Sequence, residues 1–206
     1  MWLFSIDINT DGLTFLSQKS YIKKQEKDQS PISKFLDSNI SLNIRTYDKE
    51  ALVLYANDNM NNFIQLHLEQ GTHVVCTWNQ LKEIRKIRIN YKGLNHGSPI
   101  QLAIVRNESH VSLHVNEQSA FLRANLSLLA SYEEKPWVNP VEELFTPPRP
   151  FAPVVPYYQV FLGGFDRVAL KPLENTTLIP GMLGCLRGLK VANQTMLISS
   201  YANHDG

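Results

Sequence analysis

His110 and His114, in the stretch HVSLH, have the spacing that on a helix would turn two imidazoles toward one zinc ion. The glutamate that a zinc hydrolase places after the first histidine is Val111 here, and the flanking residues alternate with the period of a strand. At about 3.3 Å per residue, four residues of strand hold the two rings roughly 13 Å apart, too far to share a metal. They read as surface histidines. The acidic pairs Glu133/Glu134 and Glu142/Glu143 are the candidates for acid and base catalysis. A glycoside hydrolase needs two carboxylates fixed roughly 5 to 10 Å apart across a cleft. Adjacent residues in a proline-rich stretch point apart, so a solvated acidic loop is the better reading. No GxSxG elbow and no phosphate-cradling glycine loop occurs, and Gly163-Gly164 reads as a strand end. The chain is expected to bind rather than to catalyse.

Binding chemistry has more candidates. The segment LKEIRKIRIN supplies Lys82, Arg85, Lys86 and Arg88. On a strand, Lys86 and Arg88 share the face opposite Ile87 and Ile89, about 7 Å apart, where they would either engage a sulfated chain or keep an outer face soluble. Trp137 lies among prolines and would serve as a protein-contact anchor or pack back onto the body of the domain. Cys76 and Cys185 are the two cysteines, with no CxxC clip near either. Either they pair, which needs Cα atoms within about 7 Å, or Cys185 has its mate elsewhere. Cys76 shares a strand face with Val74 and Trp78 and reads as a small core residue.

Composition narrows the partner classes. A formal charge of +1 over 206 residues argues against bulk binding to nucleic acid or to an anionic membrane. No apolar run approaches the roughly 18 residues that span a bilayer. The opening MWLFSIDINTDG lacks a basic leader and a small-residue cleavage site, so it does not read as a signal peptide. Acceptor sequons nevertheless stand at Asn39, Asn107, Asn125, Asn175 and Asn193. This composition would give roughly two by chance, and most of the five fall where a turn or strand end is expected, which suits glycans on an extracellular domain. Such a domain is expected to be a piece of a larger protein.

The elements that would carry these residues are strands. SLNIRTY sets Leu42, Ile44 and Thr46 against Asn43 and Arg45, and ALVLYA is apolar on both faces, as in a central strand. FIQLHLEQG sets Ile64, Leu66 and Leu68 against Gln65, His67 and Glu69. THVVCTWN, IRKIRINYKG, PIQLAIVRNES, HVSLHVNEQ and SAFLRANLSLLA follow at a spacing of about ten residues, each closed by turn chemistry, the rhythm of an antiparallel sandwich. Only ISKFL and VEELF have the makings of a helical turn. Residues 131–156 hold seven of the eleven prolines and must cross the surface as a long insertion before YYQVFLGGF resumes the strand pattern.

ISLNIRTYDKEALVLYA, NNFIQLHLEQG, YYQVFLGGF and MLGCLRGLKVANQ, in this order, resemble the laminin G-like (LNS) domains of laminins, neurexins, agrin and large adhesion cadherins. The resemblance covers roughly residues 35–206, leaving 1–34 as an N-terminal strand (TFLSQKSYIKK) and an irregular lead-in. NHGSPIQ stands where family members carry a tryptophan-histidine pair, marking a divergent member. The family implies an all-β, jelly-roll-like antiparallel sandwich of about fourteen strands, similar to concanavalin. It implies that Cys185 pairs with a cysteine beyond the end of this chain, so the segment stops short of the final cysteine. It further implies one Ca²⁺ at the rim, with Asn79 at the matching position, although Gln80 and Lys82 replace the acidic turn a hard cation prefers. No other cofactor is expected. The expected role is extracellular: an adhesion or recognition module of a larger cell-surface or matrix protein, alongside EGF-like modules, binding a protein or a glycosaminoglycan. A lectin or glycoside hydrolase on the same kind of sandwich, and a glycan-coated structural spacer, are the alternatives.

Overall fold

Side chains along residues 40–46 alternate as their sequence requires: Ile40, Leu42, Ile44 and Thr46 are buried while Asn43 and Arg45 face solvent. The computed structural model describes residues 4–7, 12–26, 35–58, 62–80, 83–107, 110–123, 158–164 and 179–196. Lys82, Asn125, Trp137, Asn175, the acidic pairs, VEELF and the whole of the proline-rich insertion 131–156 lie outside them.

Fourteen strands run in chain order: β1 (Phe4–Asp7), β2 (Gly12–Phe15), β3 (Ile22–Glu26), β4 (Ile40–Thr46), β5 (Ala51–Asp58), β6 (Phe63–Glu69), β7 (His73–Gln80), β8 (Glu83–Asn90), β9 (Ile100–Arg106), β10 (His110–Val115), β11 (Gln118–Arg123), β12 (Tyr158–Leu162), β13 (Gly184–Val191) and β14 (Gln194–Thr195). They form two antiparallel sheets. The first has the order β1-β2-β13-β4-β9-β10-β11, with β14 on β13; the second has the order β3-β12-β5-β6-β7-β8. The expected all-β sandwich is what the chain builds. A helical turn at 35–37, overlapping the end of ISKFL, buries Phe35 and Leu36 in the core, as its apolar pair requires.

The core lies between the sheets. Leu13 and Phe15 of β2, Leu42 and Ile44 of β4, Leu102 and Ile104 of β9 and Leu186 of β13 meet Leu54, Leu66, Val74, Trp78 and Val160 of the other sheet. In β8 only Ile87 and Ile89 reach this layer, so that strand has one dry and one wet face. β5 is buried along its whole length because it is central and dry on both sides.

Two findings differ from the sequence reading. Gln65 and His67, opposed to the core face of β6, are only 1 % exposed. The outer face of the second sheet carries its own apolar cluster of Leu52, Tyr55, Phe63, Phe161 and Ile179, with the Tyr55 ring 6.2 Å from both Phe63 and Phe161. A period of two separates two faces; it does not say that one of them is wet. The N-terminal residues also contribute more than one strand. β1 and β2 pair with each other and β2 with β13, while β3 pairs with β12 in the opposite sheet.

One glycine is required by close approach. Gly163 ends β12 with φ +72° and exchanges backbone bonds with Val53 and Met182. A Cβ there would run into the tip of the buried Phe15 ring.

Candidate functional site

The basic strand comes first because its charges are arranged by pairing. Lys86 sits opposite Thr77 and Arg88 opposite Val75, so both project from the outer face while Ile87 and Ile89 turn inward. Glu69, at the end of β6, reaches both: its Oε1 lies 3.3 Å from Lys86 Nζ and its Oε2 lies 3.3 Å from Arg88 Nη2. The same Oε1 accepts from His67 Nε2 at 3.1 Å. Arg85 is on the opposite face and is held by Glu83 at 2.6 Å. Three cations of β8 are therefore matched by two carboxylates, and Lys86 and Arg88 share one of them. Their pairing is exposed enough that it contributes little to stability.

Burial raises the cost of charging His67 and holds its pKa below the ordinary histidine value, with the Glu69 bond opposing. Desolvation works to raise Glu69, but its bonds to His67 and Lys86 outweigh it and leave the carboxyl below the usual range. For a histidine kept neutral in the fold, stability is complete above the unfolded value near 6.5 and falls as pH drops through it, because the unfolded chain gains the proton first. Glu69 adds a second loss at lower pH, as the carboxylate protonates through its depressed folded pKa. Urea titrations from pH 7.5 to 5 should therefore show falling stability, with a His67 component no steeper than about 1.4 kcal/mol per pH unit. His67→Gln should flatten the part nearest pH 6; an unchanged profile in that variant would assign the slope to other groups.

One rim of the sandwich joins the ends of β7, β9 and β13 to the start of β4. Arg106 ends β9 in the line of inward residues, and its guanidinium stacks on the buried Trp78 ring at 5.2 Å. Among the described residues its Nε and Nη2 find no hydrogen-bond acceptor, and burial lowers its pKa. Asn79 follows Trp78 on β7, half-buried, opposite Phe63 and Ile84. The carboxylates at the ends of neighbouring elements are engaged: Asp37 accepts from Gln80 at 2.8 Å, and Asp58 accepts from the backbone N and Nδ2 of Asn62 at 2.9 and 2.8 Å. Among the described residues no three His, Cys, Asp or Glu side chains converge. One amide beside carboxylates that are already hydrogen-bonded does not fit the oxygen cage that Ca²⁺ takes. Three sequon asparagines, Asn39, Asn107 and Asn193, stand at this same rim.

The opposite rim differs in kind. Phe15, Gly184 and Thr46 lie side by side on β2, β13 and β4. The next residues outward, Leu16, Leu183 and Tyr47, are 54 %, 40 % and 70 % exposed. The register sets them in one row across three strands, spanning about 10 Å at the usual strand spacing. The Tyr47 ring lies on the Gly97 backbone, and Thr46 Oγ1 donates to the Leu183 carbonyl at 2.7 Å. Beside the row is an open depression of about 540 Å³ lined by Gln18, Lys49, Glu50, Gln70 and Pro180. Its charges are of both signs.

The remaining candidates separate. His110 Nε2 lies 3.0 Å from Asn107 Nδ2 and its ring meets Phe121 edge-on at 6.2 Å, whereas His114 Nε2 lies 2.9 Å from Ser112 Oγ. Each of the two β10 imidazoles has its own partners, and both are half-buried rather than fully at the surface. Cys76 faces the core, where burial pushes its thiol up to about 12, and Cys185 is half-exposed on the far side of the other sheet beside Thr14 Oγ1 at 3.4 Å. Both are free thiols, so the Cys76–Cys185 bridge does not form.

The family model for the laminin G domain matches residues 44–194. The chain belongs to the laminin G domain family. Two solved structures share its fold: the LG4-5 domains of the mouse laminin alpha1 chain, at 15 % identity and a TM-score of 0.60, and the LG1-3 region of the laminin alpha2 chain, at 13 % and 0.58. The match covers 90 % and 91 % of this chain but only 42 % and 32 % of those fragments, so this laminin G domain spans less than half of either. No helix among its described residues is long and apolar enough to cross a membrane.

Sequence reasoning missed Glu69 as the shared counter-charge of the basic strand, and it missed the row at the second rim. The first could have been sought: Glu69 ends a strand two hairpins from Lys86. The second had no signal, because Leu16, Tyr47 and Leu183 become neighbours only through strand register.

Proposed function

We propose that this laminin G domain is an extracellular, non-catalytic adhesion or recognition module of a larger cell-surface or matrix protein, and that its ligand is a protein. The observation that supports a protein ligand is the exposed row Leu16–Leu183–Tyr47 beside a depression of mixed charge. Exposed apolar groups ringed by both signs of charge suit a partner surface with its own apolar centre better than a polyanion. A sulfated glycan bound through Lys82, Arg85, Lys86 and Arg88 is the second reading, favoured by the half-exposed Lys86 and Arg88 and opposed by Glu69 between them.

Attachment of cultured animal cells to surfaces coated with the secreted domain tests both. The expected result is attachment that survives added heparin and the Lys86→Ala/Arg88→Ala change, and falls at least tenfold in Tyr47→Ser/Leu183→Ser. Attachment lost with heparin and with the β8 change, but indifferent to the rim change, would move the assignment to a sulfated ligand; none at all would leave a spacer. On a heparin column, Glu69→Gln should elute at higher salt than the parent, because it removes the carboxylate that both outward cations share. Identical elution of the two would mean that Glu69 does not shield the strand.

A further inference from the structure

We propose that Asn39, Asn107 and Asn193 carry N-linked glycans that together cap one rim of the sandwich, leaving partners the opposite rim. This rests on the extracellular reading given above. The three sequons are far apart in sequence and adjacent in space. Asn39 immediately precedes β4, whose first residue Ile40 pairs with Val191 of β13 on one side and Ile104 of β9 on the other. Asn193 lies in the turn that follows β13, and Asn107 directly follows β9. Backbone and side chain of Asn39 tie them together: its carbonyl accepts from Ala192 N at 2.9 Å, and its Oδ1 accepts from Arg106 N at 2.7 Å. At roughly 4.8 Å between strands, the three attachment points fall within about 10 Å along one edge of the first sheet.

Asn39 uses its oxygen and backbone for structure, Asn107 uses its oxygen to close a turn while its nitrogen contacts His110, and Asn193 uses its backbone to make a turn. Asn39 Nδ2 donates to nothing among the described residues, while Oδ1 is taken. Asn107 is exposed, and its Oδ1 accepts from His110 N at 2.8 Å, closing the β9–β10 turn. Its Nδ2 keeps one N–H after glycosylation, enough to hold the contact with His110 Nε2. Asn193 is exposed at φ +62°, next to Ala192 at +53°, in the two-residue turn between Val191 and Gln194. Positive φ at both central residues is the type I′ pattern, which asparagine tolerates and which turns its side chain away from the sheet. Structural need explains three asparagines at these points. It does not explain Ser41, Ser109 and Thr195, each two residues further on, which complete the acceptor triplets.

The rim so covered also holds Asn79, beside the Trp78–Arg106 stack that joins β7 to β9. Glycans are bulky and hydrated, so a protein partner would be excluded from this edge. The Leu16–Leu183–Tyr47 row, at the other ends of β2, β13 and β4, carries no sequon among its described neighbours.

The test is to route the chain through the secretory pathway of cultured animal cells, release glycans with peptide-N-glycosidase in ¹⁸O-water, and map the labelled aspartates by mass spectrometry. Label at Asn39, Asn107 and Asn193 is the expected result. Ser41→Ala, Ser109→Ala and Thr195→Ala keep every asparagine bond; each should remove one glycan's mass from the band and leave the melting temperature unchanged. Label confined to Asn125 or Asn175 would overturn the cap while leaving the extracellular reading intact. A chain that reaches the medium with no label would also overturn the cap alone; a chain that neither leaves the cell nor carries a glycan would sink both.

Discussion

Replacing Trp78 with alanine should lower the stability of the domain by about 4 kcal/mol, a fall in melting temperature on the order of 8 to 16 °C for a chain of this size. Trp78 is 2 % exposed on the core face of β7 and among the largest fully enclosed side chains. Its loss opens a cavity that the two surrounding sheets cannot close, since both are fixed by their ladders. It also strips the Trp78 face from Arg106, whose Nε and Nη2 have no acceptor among the described residues to fall back on. A buried cation without partner or ring is more costly than either loss alone. A double-mutant cycle with Arg106→Met should therefore give a double variant less destabilised than the sum of the two single changes, by about 0.5 to 2 kcal/mol. Urea denaturation of the four proteins would measure it. Additive values would mean that the ring and the guanidinium merely lie near each other.

Gly163→Ala should be the second most damaging single change, at about 3 kcal/mol, from two causes that act at the same atom. The backbone at φ +72° costs a side chain about 1 kcal/mol or more, and the added methyl meets the Phe15 ring. Phe15 is 1 % exposed and cannot swing outward without leaving a void. Gly163→Ala combined with Phe15→Leu separates the causes: partial recovery is expected, because the clash is relieved and the strained φ remains. A double variant no more stable than Gly163→Ala would assign the whole effect to the backbone.

Much of the sandwich was legible because its central strands alternate cleanly. β4, β9 and the two-sided β5 are written in the spacing of Ile, Leu and Val, and turn residues mark their ends. The burial of Gln65 and His67 was not legible, since alternation assigns faces without saying what covers them; here an aromatic cluster around Tyr55 and Phe161 dries the outer side. β1, and β3 as a strand separate from β2, were missed for a different reason. Strands of four and five residues carry too little pattern, and β3 owes its place to a partner, β12, more than a hundred residues away in sequence. Of the site, the basic face of Lys86 and Arg88 followed from period two alone. That Glu69 stands between them, and that Tyr47 and Leu183 are neighbours, is set by hairpin register and by the insertion of β13 beside β4, neither of which a local window contains.

That insertion has a consequence for the order of assembly. β13 enters between β2 and β4, and β12 enters between β3 and β5, so each sheet is bridged by a strand from the last quarter of the chain. The roughly hundred residues between β5 and β12 take about 5 to 20 s to synthesise. Throughout that time β2 has only its hairpin partner β1 and β5 only β6, each with an open hydrogen-bonding edge on the other side, and β3 has no sheet neighbour at all, the state most exposed to mispairing. β2 and β3 must wait, unpaired with β13 and β12, until those strands leave the ribosome. The two halves of this domain therefore cannot be separated into an early folding unit and a late one, and a chain interrupted before Gly184 would leave the first sheet in two pieces.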